Sequence, residues 1–533
     1  MDLRQISRRI ADHKDNAVFT FESGQTVRRN FPTVSDDIAQ ARARLARCGI
    51  ERGMRVGIRS PNCYDWLVHD IALLDLGAVS IAFTAEFEKA SREELCRKYQ
   101  LSLFLAGAAE RSREPASATS ADPVYFFGHD NGEVQVRRDG PPQEDPDYHR
   151  PGLIFSSGSA GGLKGLVLNR CGIEACIHAF TQAVEPVGAD RLLIFLPISN
   201  FQQRLMYYSA FWYGFDVIVV EPVHLFRALQ ELSPTILIAP PAFYETFETR
   251  FHNLPEAKRR MATAIGRLIS AVPSASLRGR IARKVFRDAY QALGGSIRFM
   301  VTGMAPIKQS TLNIFEMMQM PLFDTYGLIE SGSVALNLPG AYRLGSVGKL
   351  LPGVRVEFAH DNEIFVHRDQ PMAVGYFECA EGESERTFVD GAVATGDIGR
   401  MDSDGFLYLI GRKKEIIVTS GGEKLHPEVI EAQINNCADV ERAVVFGREN
   451  LPTLAVVVRP KRTADAEAQK RIRTFIDDLN RGWRNASVTN VIFTDVEFSR
   501  ENGFLRPNLK LARNRIGEYF SDAIRSNADN TAG

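Results

Sequence analysis

The chain has 533 residues, of which 44% are hydrophobic, and its 64 basic and 65 acidic residues leave a formal net charge of -1. This length favours more than one domain, and the balanced charge argues against a general affinity for nucleic acid or anionic membranes. The seven cysteines form no Cys-x-x-Cys pair, which is typical of reduced thiols rather than of a disulfide framework or a zinc site. Without a signal-peptide core or a long apolar run, the sequence predicts a cytoplasmic protein with no integral membrane segment.

Helices and strands alternate in the first part of the chain. The predicted elements are a helix at 34–47, a strand at 54–58, a helix at 62–76 and a strand at 78–83. Ser35 is the predicted N-cap of the first helix, and Gly77 ends the second. A strand, a helix and a strand with short connections predict a parallel βαβ unit, and therefore an α/β fold.

A turn rich in glycine and serine separates the apolar runs 153–155 and 166–168, which predict two short buried strands. Backbone N–H groups and hydroxyls can surround a phosphate in such a turn, because glycine has no Cβ to block close approach. A Walker A loop is excluded, since Leu163 precedes the lysine and no helix follows. From these residues alone, a flexible hairpin with a solvated lysine is an equal alternative. The candidate phosphate ligands are Ser156, Ser157, Gly158, Ser159, Gly161 and Lys164.

The middle of the chain combines a helix-forming stripe with two strand ends. The aromatic stripe that begins at Phe201 is by itself typical of a buried core, and the basic helical stretch 254–294 is typical of a solvated face. A strand at 297–301 leads into Thr302-Gly303-Met304-Ala305-Pro306, and a strand at 322–323 leads into Asp324-Thr325-Tyr326-Gly327-Leu328-Ile329-Glu330. Ligands bind at such strand ends in parallel sheets.

Short alternating strands from about residue 340 predict a small β-rich subdomain. A dense series of motifs follows: Thr395-Gly396-Asp397, Asp404-Gly405-Phe406, Gly411-Arg412-Lys413-Lys414-Glu415, Ser420-Gly421-Gly422-Glu423-Lys424 and, near the end, Leu505-Arg506-Pro507-Asn508-Leu509-Lys510. Taken singly, an Asp-Gly turn or a lysine after a turn is usually a surface feature.

Together, these motifs resemble those of the adenylate-forming superfamily of acyl-CoA synthetases, luciferases and peptide-synthetase adenylation domains, and the local variants are most similar to the long-chain acyl-CoA synthetases. The resemblance covers nearly the whole chain. It implies a large N-terminal domain at 1–412, with the β-rich subdomain at about 340–412, and a small mobile C-terminal domain at 413–533.

The resemblance also implies roles for individual residues. Gly303, Ala305, Pro306, Asp324, Tyr326 and Gly327 would bind the adenine region, Asp397 the ribose hydroxyls, and Arg412 the ribose or a phosphate. Glu330 would hold Mg²⁺, Lys510 would be catalytic together with Lys164, and Lys414 would be the hinge. Asn200, Phe201, Thr302, Gly303 and Gly327 would line the acyl pocket, and Gly421, Gly422 and Glu423 the thiol tunnel.

The implied reaction is ATP-dependent activation of a carboxylic acid, most simply a fatty acid, with transfer of the acyl group to CoA or to the phosphopantetheine of a carrier protein. This chain departs from the family pattern at Ala160, Leu163, Asn200 and Ile329. Three alternatives therefore stay open: an amino-acid or aryl-acid adenylating enzyme, an amide-forming ligase, and a nucleotide- or acyl-binding pseudoenzyme.

Overall fold

A computed structural model describes residues 1–107, 123–128, 131, 134–137, 149–157, 163–420, 424–448, 451–462, 465–483, 486–499, 501–505 and 511–526. Within these ranges, two large sheets and their helices form most of the chain before residue 340. Smaller sheets follow towards the C-terminus.

The first large sheet has nine strands in the order β15-β14-β13-β12-β11-β9-β10-β1-β2. Its strands are β1 Ala17–Glu22, β2 Gln25–Asn30, β9 Arg191–Ile194, β10 Asp216–Val219, β11 Ile236–Ala239, β12 Phe299–Thr302, β13 Leu322–Leu328, β14 Gly332–Leu336 and β15 Lys349–Leu350. The strands from β13 to β1 in this order run parallel, and the outer strands at both edges are antiparallel.

The second large sheet has seven strands in the order β18-β8-β7-β4-β3-β5-β6. They are β3 Arg55–Arg59, β4 Val79–Ala82, β5 Leu103–Ala106, β6 Val124–Phe126, β7 Gly152–Ser157, β8 Leu163–Leu168 and β18 Ala373–Phe377. Strands β7 and β8 pair antiparallel through Leu153↔Val167 and Phe155↔Gly165, so the two strands predicted on either side of the glycine-rich turn are confirmed.

Helices cover both large sheets. They are α1 Ile6–Asp12, α2 Phe31–Arg47, α3 Tyr64–Leu76, α4 Arg92–Tyr99, α5 Arg170–Val184, α6 Phe201–Tyr213, α7 Leu225–Leu232, α8 Pro241–His252, α9 Glu256–Ser270, α10 Ala275–Val285, α11 Arg287–Ala292 and α12 Gln309–Met317. Side chains alternate along each strand, so Leu192 and Ile194 face the helices between the two sheets while Leu193 faces the outer helices. The layers therefore run helix, sheet, helix, sheet, helix.

Smaller sheets form the rest of the chain. Strands β16 Val354–Phe358, β17 Glu363–Arg368, β19 Phe388–Val389, β20 Ala392–Met401 and β21 Leu407–Arg412 form one sheet, with α13 Glu383–Thr387 beside it. Strands β22 Ile417–Val418 and β23 Lys424–Leu425 pair with each other, and β24 Val440–Gly447, β25 Leu454–Pro460 and β26 Val488–Phe493 form a three-stranded sheet. The last helices are α14 Pro427–Ile434, α15 Ala466–Gly482, α16 Arg513–Tyr519 and α17 Ser521–Arg525.

Short 3₁₀ turns complete the secondary structure at Leu3–Gln5, Ala85–Phe87, Pro222–His224 and Lys413–Glu415. Among the described residues, no helix is both long enough and apolar enough to cross a bilayer.

The parallel βαβ unit is confirmed, because β3 and β4 flank α3 and pair in parallel, and Gly77 caps that helix with a φ of 70°. Two local predictions are wrong. Asn30, not Ser35, caps α2 through its side chain, and Ser35 lies inside the helix. The stretch from Asp324 to Leu328 is not a loop after a short strand, because it continues β13 into an antiparallel pair with β14.

Candidate functional site

The ends of β12 and β13 form the floor of the candidate site. Thr302 and Asp324 are register partners, and the buried Thr302 hydroxyl has no hydrogen-bond partner among the described residues. A Cβ on Gly303 would lie 2.8 Å from Cγ2 of Thr325, so the backbone approaches its neighbour too closely for a larger residue. Met304 follows with a φ of 70°, a left-handed conformation that is costly for a non-glycine residue. The loop after β12 is thus held in a specific shape.

A tyrosine, an aspartate and an arginine meet beside this floor. The Tyr326 hydroxyl donates to Oδ2 of Asp397 at 2.8 Å, and Nε of Arg412 lies 3.0 Å from Oδ1 of the same carboxylate. Asp397 and Arg412 are register partners on β20 and β21, so the β-rich sheet brings them together. Burial and the negative charge of Asp397 hold the pKa of Tyr326 well above its usual value, so the phenol stays a donor. We call these three residues the Asp397 cluster.

Gly327 follows Tyr326 at an irregularity in the β13–β14 pairing. A Cβ at this position would lie 2.8 Å from the carbonyl oxygen of Gly332, so only glycine fits without a shift of the backbone. The irregularity sets the direction in which the chain leaves Tyr326 for the turn that contains Glu330.

A second polar group surrounds Lys164 and Glu330. Lys164 forms an ion pair with Glu383, and its Nζ lies 4.9 Å from the centroid of the Tyr376 ring. The Tyr376 hydroxyl donates to Oε1 of Glu330 at 3.1 Å. Through Tyr376, the structure thus connects the predicted phosphate ligand with the predicted metal ligand.

Glu330 is chemically suited to Mg²⁺, because that ion prefers hard carboxylate oxygens and is usually bound by one or two carboxylates together with substrate phosphates. Only Tyr376 donates a hydrogen bond to its carboxylate within the described ranges. Those ranges contain no group of three or more metal-binding side chains. A Mg²⁺ ion at Glu330 would therefore take its other ligands from phosphate oxygens and water.

Two of the five predicted acyl-pocket residues, Asn200 and Phe201, lie at the start of α6, whereas Thr302, Gly303 and Gly327 belong to the ends of β12 and β13 described above. Asn200 precedes the helix without capping it through its side chain, and Phe201 is buried in the core between the sheets. The preceding loop is fixed by Asn62, which accepts from the Ile198 N–H at 2.8 Å and donates to the carbonyls of Leu196 and Val220. In the described structure, no hydrogen bond or ion pair joins Asn200 to the Asp397 cluster.

The predicted hinge residue Lys414 lies exposed in the 3₁₀ turn that begins at Lys413. Lys413 is held by Asp361 of the β16–β17 turn at 2.7 Å and by Glu363 of β17 at 2.6 Å. The Arg412 N–H donates to the Glu428 carboxylate on α14 at 3.2 Å. The segment is thus tied to structure on both of its sides.

Two contacts join β24 to the site region. Nζ of the half-buried Lys308 donates to the carbonyl oxygen of Glu441 at 2.6 Å, and desolvation lowers the pKa of this lysine. Arg442 pairs with Glu245 of α8 at 3.1 Å. Lys308 follows the loop that leaves β12, so this loop is connected to the C-terminal part of the chain.

The side chains of several predicted residues, or the whole residues, lie outside what the structure describes. Ser156 and Ser157 end β7, but their side chains are not described. The others are Gly158, Ser159, Ala160, Gly161, Gly421, Gly422, Glu423 and Lys510. Their roles stay predictions.

Sequence reasoning missed Tyr376, Glu383 and Lys308, all of which lie outside the motifs. No pattern in the sequence marks them, because each acts through a partner distant along the chain. Met304 could have been noticed from the sequence, since the segment Gly303-Met304-Ala305-Pro306 resembles the Gly-Gly-Ala-Pro motif of the adenylate-forming superfamily and has methionine in place of the second glycine.

Comparison with known proteins adds independent information. A family model described as AMP-binding enzyme matches residues 6–372, and a model of the AMP-binding enzyme C-terminal domain matches residues 414–506. The long-chain-fatty-acid–CoA ligase FadD15 of Mycobacterium bovis is 28% identical over 92% of this chain and 91% of its own length. The long-chain-fatty-acid–CoA ligase ACSBG2 of Gallus gallus is 24% identical over 95% of this chain and 78% of its own length.

Solved structures agree on the fold. The anthranilate CoA ligase AuaEII, in complex with anthranoyl-AMP, aligns with a TM-score of 0.75 at 16% identity, over 98% of this chain and 97% of its own. The amide bond synthetase McbA of Marinactinospora thermotolerans aligns with a TM-score of 0.72 at 19% identity, over 97% and 99%. The predicted α/β fold is thereby confirmed.

Proposed function

Because this chain belongs to the AMP-binding enzyme family, we propose that it is an ATP-dependent ligase that activates a fatty acid as acyl-AMP and passes the acyl group to a thiol. The Asp397 cluster is the observation on which this proposal depends. Its carboxylate accepts from Tyr326, which lies two residues past the parallel part of β13, and nucleotides bind beyond the carboxyl ends of the strands in open α/β folds. The acceptor thiol that we propose is CoA or the phosphopantetheine of an acyl carrier protein.

The first step needs no activated serine or cysteine. A carboxylic acid has a free pKa of about 4 to 5, so its carboxylate is already a nucleophile at neutral pH. One carboxylate oxygen forms a bond to the α-phosphorus of ATP as the bond to pyrophosphate breaks. The protein then has to position the two reactants and stabilise the negative charge that accumulates on the phosphate oxygens.

We assign the residues as follows. Asp397 would accept hydrogen bonds from the ribose hydroxyls. For this, Tyr326 or Arg412 would have to share or give up its contact with the carboxylate. Lys164 would leave Glu383 to bind a phosphate, and Lys510 would stabilise charge on the α-phosphate. Glu330 would hold Mg²⁺, which neutralises phosphate charge when bound. In the second step, the thiol attacks the acyl carbon and AMP leaves.

The fatty-acid preference is supported by the names of the relatives, which are long-chain-fatty-acid–CoA ligases. The cheapest test is pyrophosphate release from ATP with a panel of aliphatic, aryl and amino acids, followed by mass spectrometry of the product formed with CoA. We expect release with aliphatic acids and an acyl-CoA product. Pyrophosphate release with aryl or amino acids only would show that the substrate is not a fatty acid. An amide formed with an added amine would show that the acceptor is an amine and not a thiol. No release with folded protein would favour a pseudoenzyme.

The two half-reactions test the assignment of the lysines. In the adenylate-forming superfamily, the small domain swings about the hinge between the two steps. Lys510→Ala should abolish acyl-AMP formation but still convert supplied acyl-AMP and thiol. Lys414→Pro should adenylate but fail at thiol transfer, because proline fixes φ and cannot follow a hinge that adopts two conformations. Equal loss of both half-reactions in each variant would reject the swing for this chain.

A further inference from the structure

We propose that the helical pair α9–α10 is a docking surface for membranes that contain anionic phospholipids. The near-neutral net charge of the chain conceals a strong local excess in this region. Between residues 254 and 294, nine lysines and arginines stand against two acidic residues, an excess of seven positive charges. Such a cluster attracts anionic lipid headgroups over the distance of a Debye length.

The positive charges are available to a ligand. Five of the basic side chains are exposed and form no ion pair with any described residue: Lys258, Arg267, Arg280, Lys284 and Arg287. Arg260 pairs with Glu256, and the others donate to backbone carbonyls, as Arg283 does to the carbonyl oxygens of Gly295 and Ile297. Most of the excess charge is therefore not neutralised within this region.

Exposed apolar side chains accompany these charges on α9. Met261 is 59% exposed and Leu268 is 71% exposed, and the two lie seven residues apart on one face. Seven exposed positions of α9 and its C-cap, 257, 260, 261, 264, 267, 268 and 271, fall within an arc of about 120° when the helix is viewed along its axis, and the exposed Glu256, Lys258 and Ser270 lie outside this arc. This arc consists of alanine, methionine, leucine and arginine only.

The opposite face of α9 is already packed. Gly266 and Ile269 are buried, and a Cβ on Gly266 would lie 2.3 Å from Cγ of Met317 on α12. The exposed arc therefore cannot turn inward to bury its apolar residues without breaking this packing. Helix α10 contacts α9 and repeats the pattern, with Leu277, Arg280 and Lys284 exposed on one face.

Charge and apolar area together favour a lipid surface over a nucleic acid. A basic helix with exposed Leu and Met lies in the interface of a bilayer, where the apolar residues reach the acyl boundary and the cations reach the headgroups. Nucleic-acid contacts would use the arginines but would leave Met261 and Leu268 in water. The geometry does not involve the Asp397 cluster, so the proposal is independent of the reaction assigned above.

Flotation of the purified full chain with lipid vesicles tests the proposal. We expect retention on phosphatidylcholine vesicles that contain phosphatidylglycerol, weak retention on phosphatidylcholine alone, and loss of retention at high salt. Arg267→Gln with Lys284→Gln should lower the partition coefficient by at least about tenfold, since each basic side chain near an anionic surface contributes about fivefold. Met261→Ser with Leu268→Ser should also lower it, because lipid burial of the two apolar side chains is lost.

A matched control removes the same charge elsewhere. Lys470→Gln with Arg515→Gln changes two exposed residues of α15 and α16 and should leave vesicle retention within twofold of the unsubstituted protein. Circular dichroism spectra of all variants check that each one is folded. Equal retention on both vesicle types, or equal loss in the control, would overturn the proposal. So would α9–α10 substitutions that weaken binding to a DNA duplex but not to vesicles.

Discussion

Two aspartates of this protein each face an arginine and tyrosine hydroxyls, but in different surroundings. In the core between the sheets, Asp70 of α3 pairs with Arg204 of α6 and accepts from Tyr207 and Tyr208. In the candidate site, Asp397 pairs with Arg412 and accepts from Tyr326. The chemistry of the two groups is the same, and the solvent exposure differs.

The arginine shows the difference most clearly. The side chain of Arg204 is 2% exposed and that of Asp70 is 0% exposed, whereas the side chain of Arg412 is 46% exposed beside an aspartate at 8%. A fully buried pair cannot exchange its partners, because removing one partner leaves an uncompensated charge in a medium of low polarity. A half-exposed pair can exchange a partner for water or a ligand. We therefore infer that the Asp70 group is structural and that the Asp397 cluster can bind a ligand.

The largest effect on stability is expected at Asp70. Asp70→Ala leaves Arg204 buried without its partner and should lower the free energy of unfolding by about 3–5 kcal/mol. Urea unfolding followed by circular dichroism measures this loss. The double variant Asp70→Leu with Arg204→Met should recover part of it, since no charge remains to be buried. If Asp70→Ala lowered the free energy of unfolding by less than about 1 kcal/mol, the pair would not have the structural role inferred here.

Asp397→Ala should show the opposite balance. We expect ATP binding to weaken by about 1.5–3 kcal/mol, because a charge-assisted contact is lost. The free energy of unfolding should fall by less than in Asp70→Ala, since the buried Tyr326 hydroxyl loses its acceptor but Arg412 stays half-exposed. Calorimetric titration with a non-hydrolysable ATP analogue measures the binding. Asp439→Ala is the control, since it breaks a partly exposed pair with Arg471 far along the chain. Unchanged affinity for the analogue would show that Asp397 does not contact the nucleotide.

Glu428 is a half-buried carboxylate with no ion pair in the described ranges, and desolvation raises its pKa from 4.5 to about 7. Between these values the folded protein binds more protons than the unfolded chain, so stability falls as pH rises towards 7. Glu428→Gln removes this dependence. As the pH rises from 5 to 8, the free energy of unfolding of the variant minus that of the unsubstituted protein should increase by on the order of 1 kcal/mol. Melting temperatures at stepped pH values measure the gap, and a gap that stays constant or shrinks would contradict the assignment.

The smallest effect is expected where both partners are in water. Arg481 and Asp478 lie 2.9 Å apart on α15, with side-chain exposures of 76% and 58%. Asp478→Asn should change the free energy of unfolding by less than about 0.5 kcal/mol, because water screens the pair. The urea experiment used for Asp70 measures this. A loss above 1 kcal/mol would show that exposure does not decide what these pairs contribute.

Much of the fold and of the chemistry follows from local sequence. The expectations of the adenylate-forming superfamily and of an AMP-forming acid–thiol ligase are confirmed by the family match and the relatives. The strands around the glycine-rich turn, the βαβ unit and the helix from Phe201 are also confirmed. Hydrophobic periodicity and turn residues determine such elements within a few positions of the chain, which explains why they can be read from one sequence.

Only the tertiary structure decided which charged residues meet. Ser35 has the right residue type for a cap, but Asn30 takes that role because the chain enters α2 earlier, directly from β2. Residues 324–328 continue a strand because β14 provides a pairing partner, and no local sequence pattern predicts this pairing. Asp70 and Arg204 are 134 positions apart, and Lys308 and Glu441 are 133 apart. Local propensity cannot predict contacts between residues so far apart in the sequence, since these contacts depend on how sheets and helices pack after they have formed.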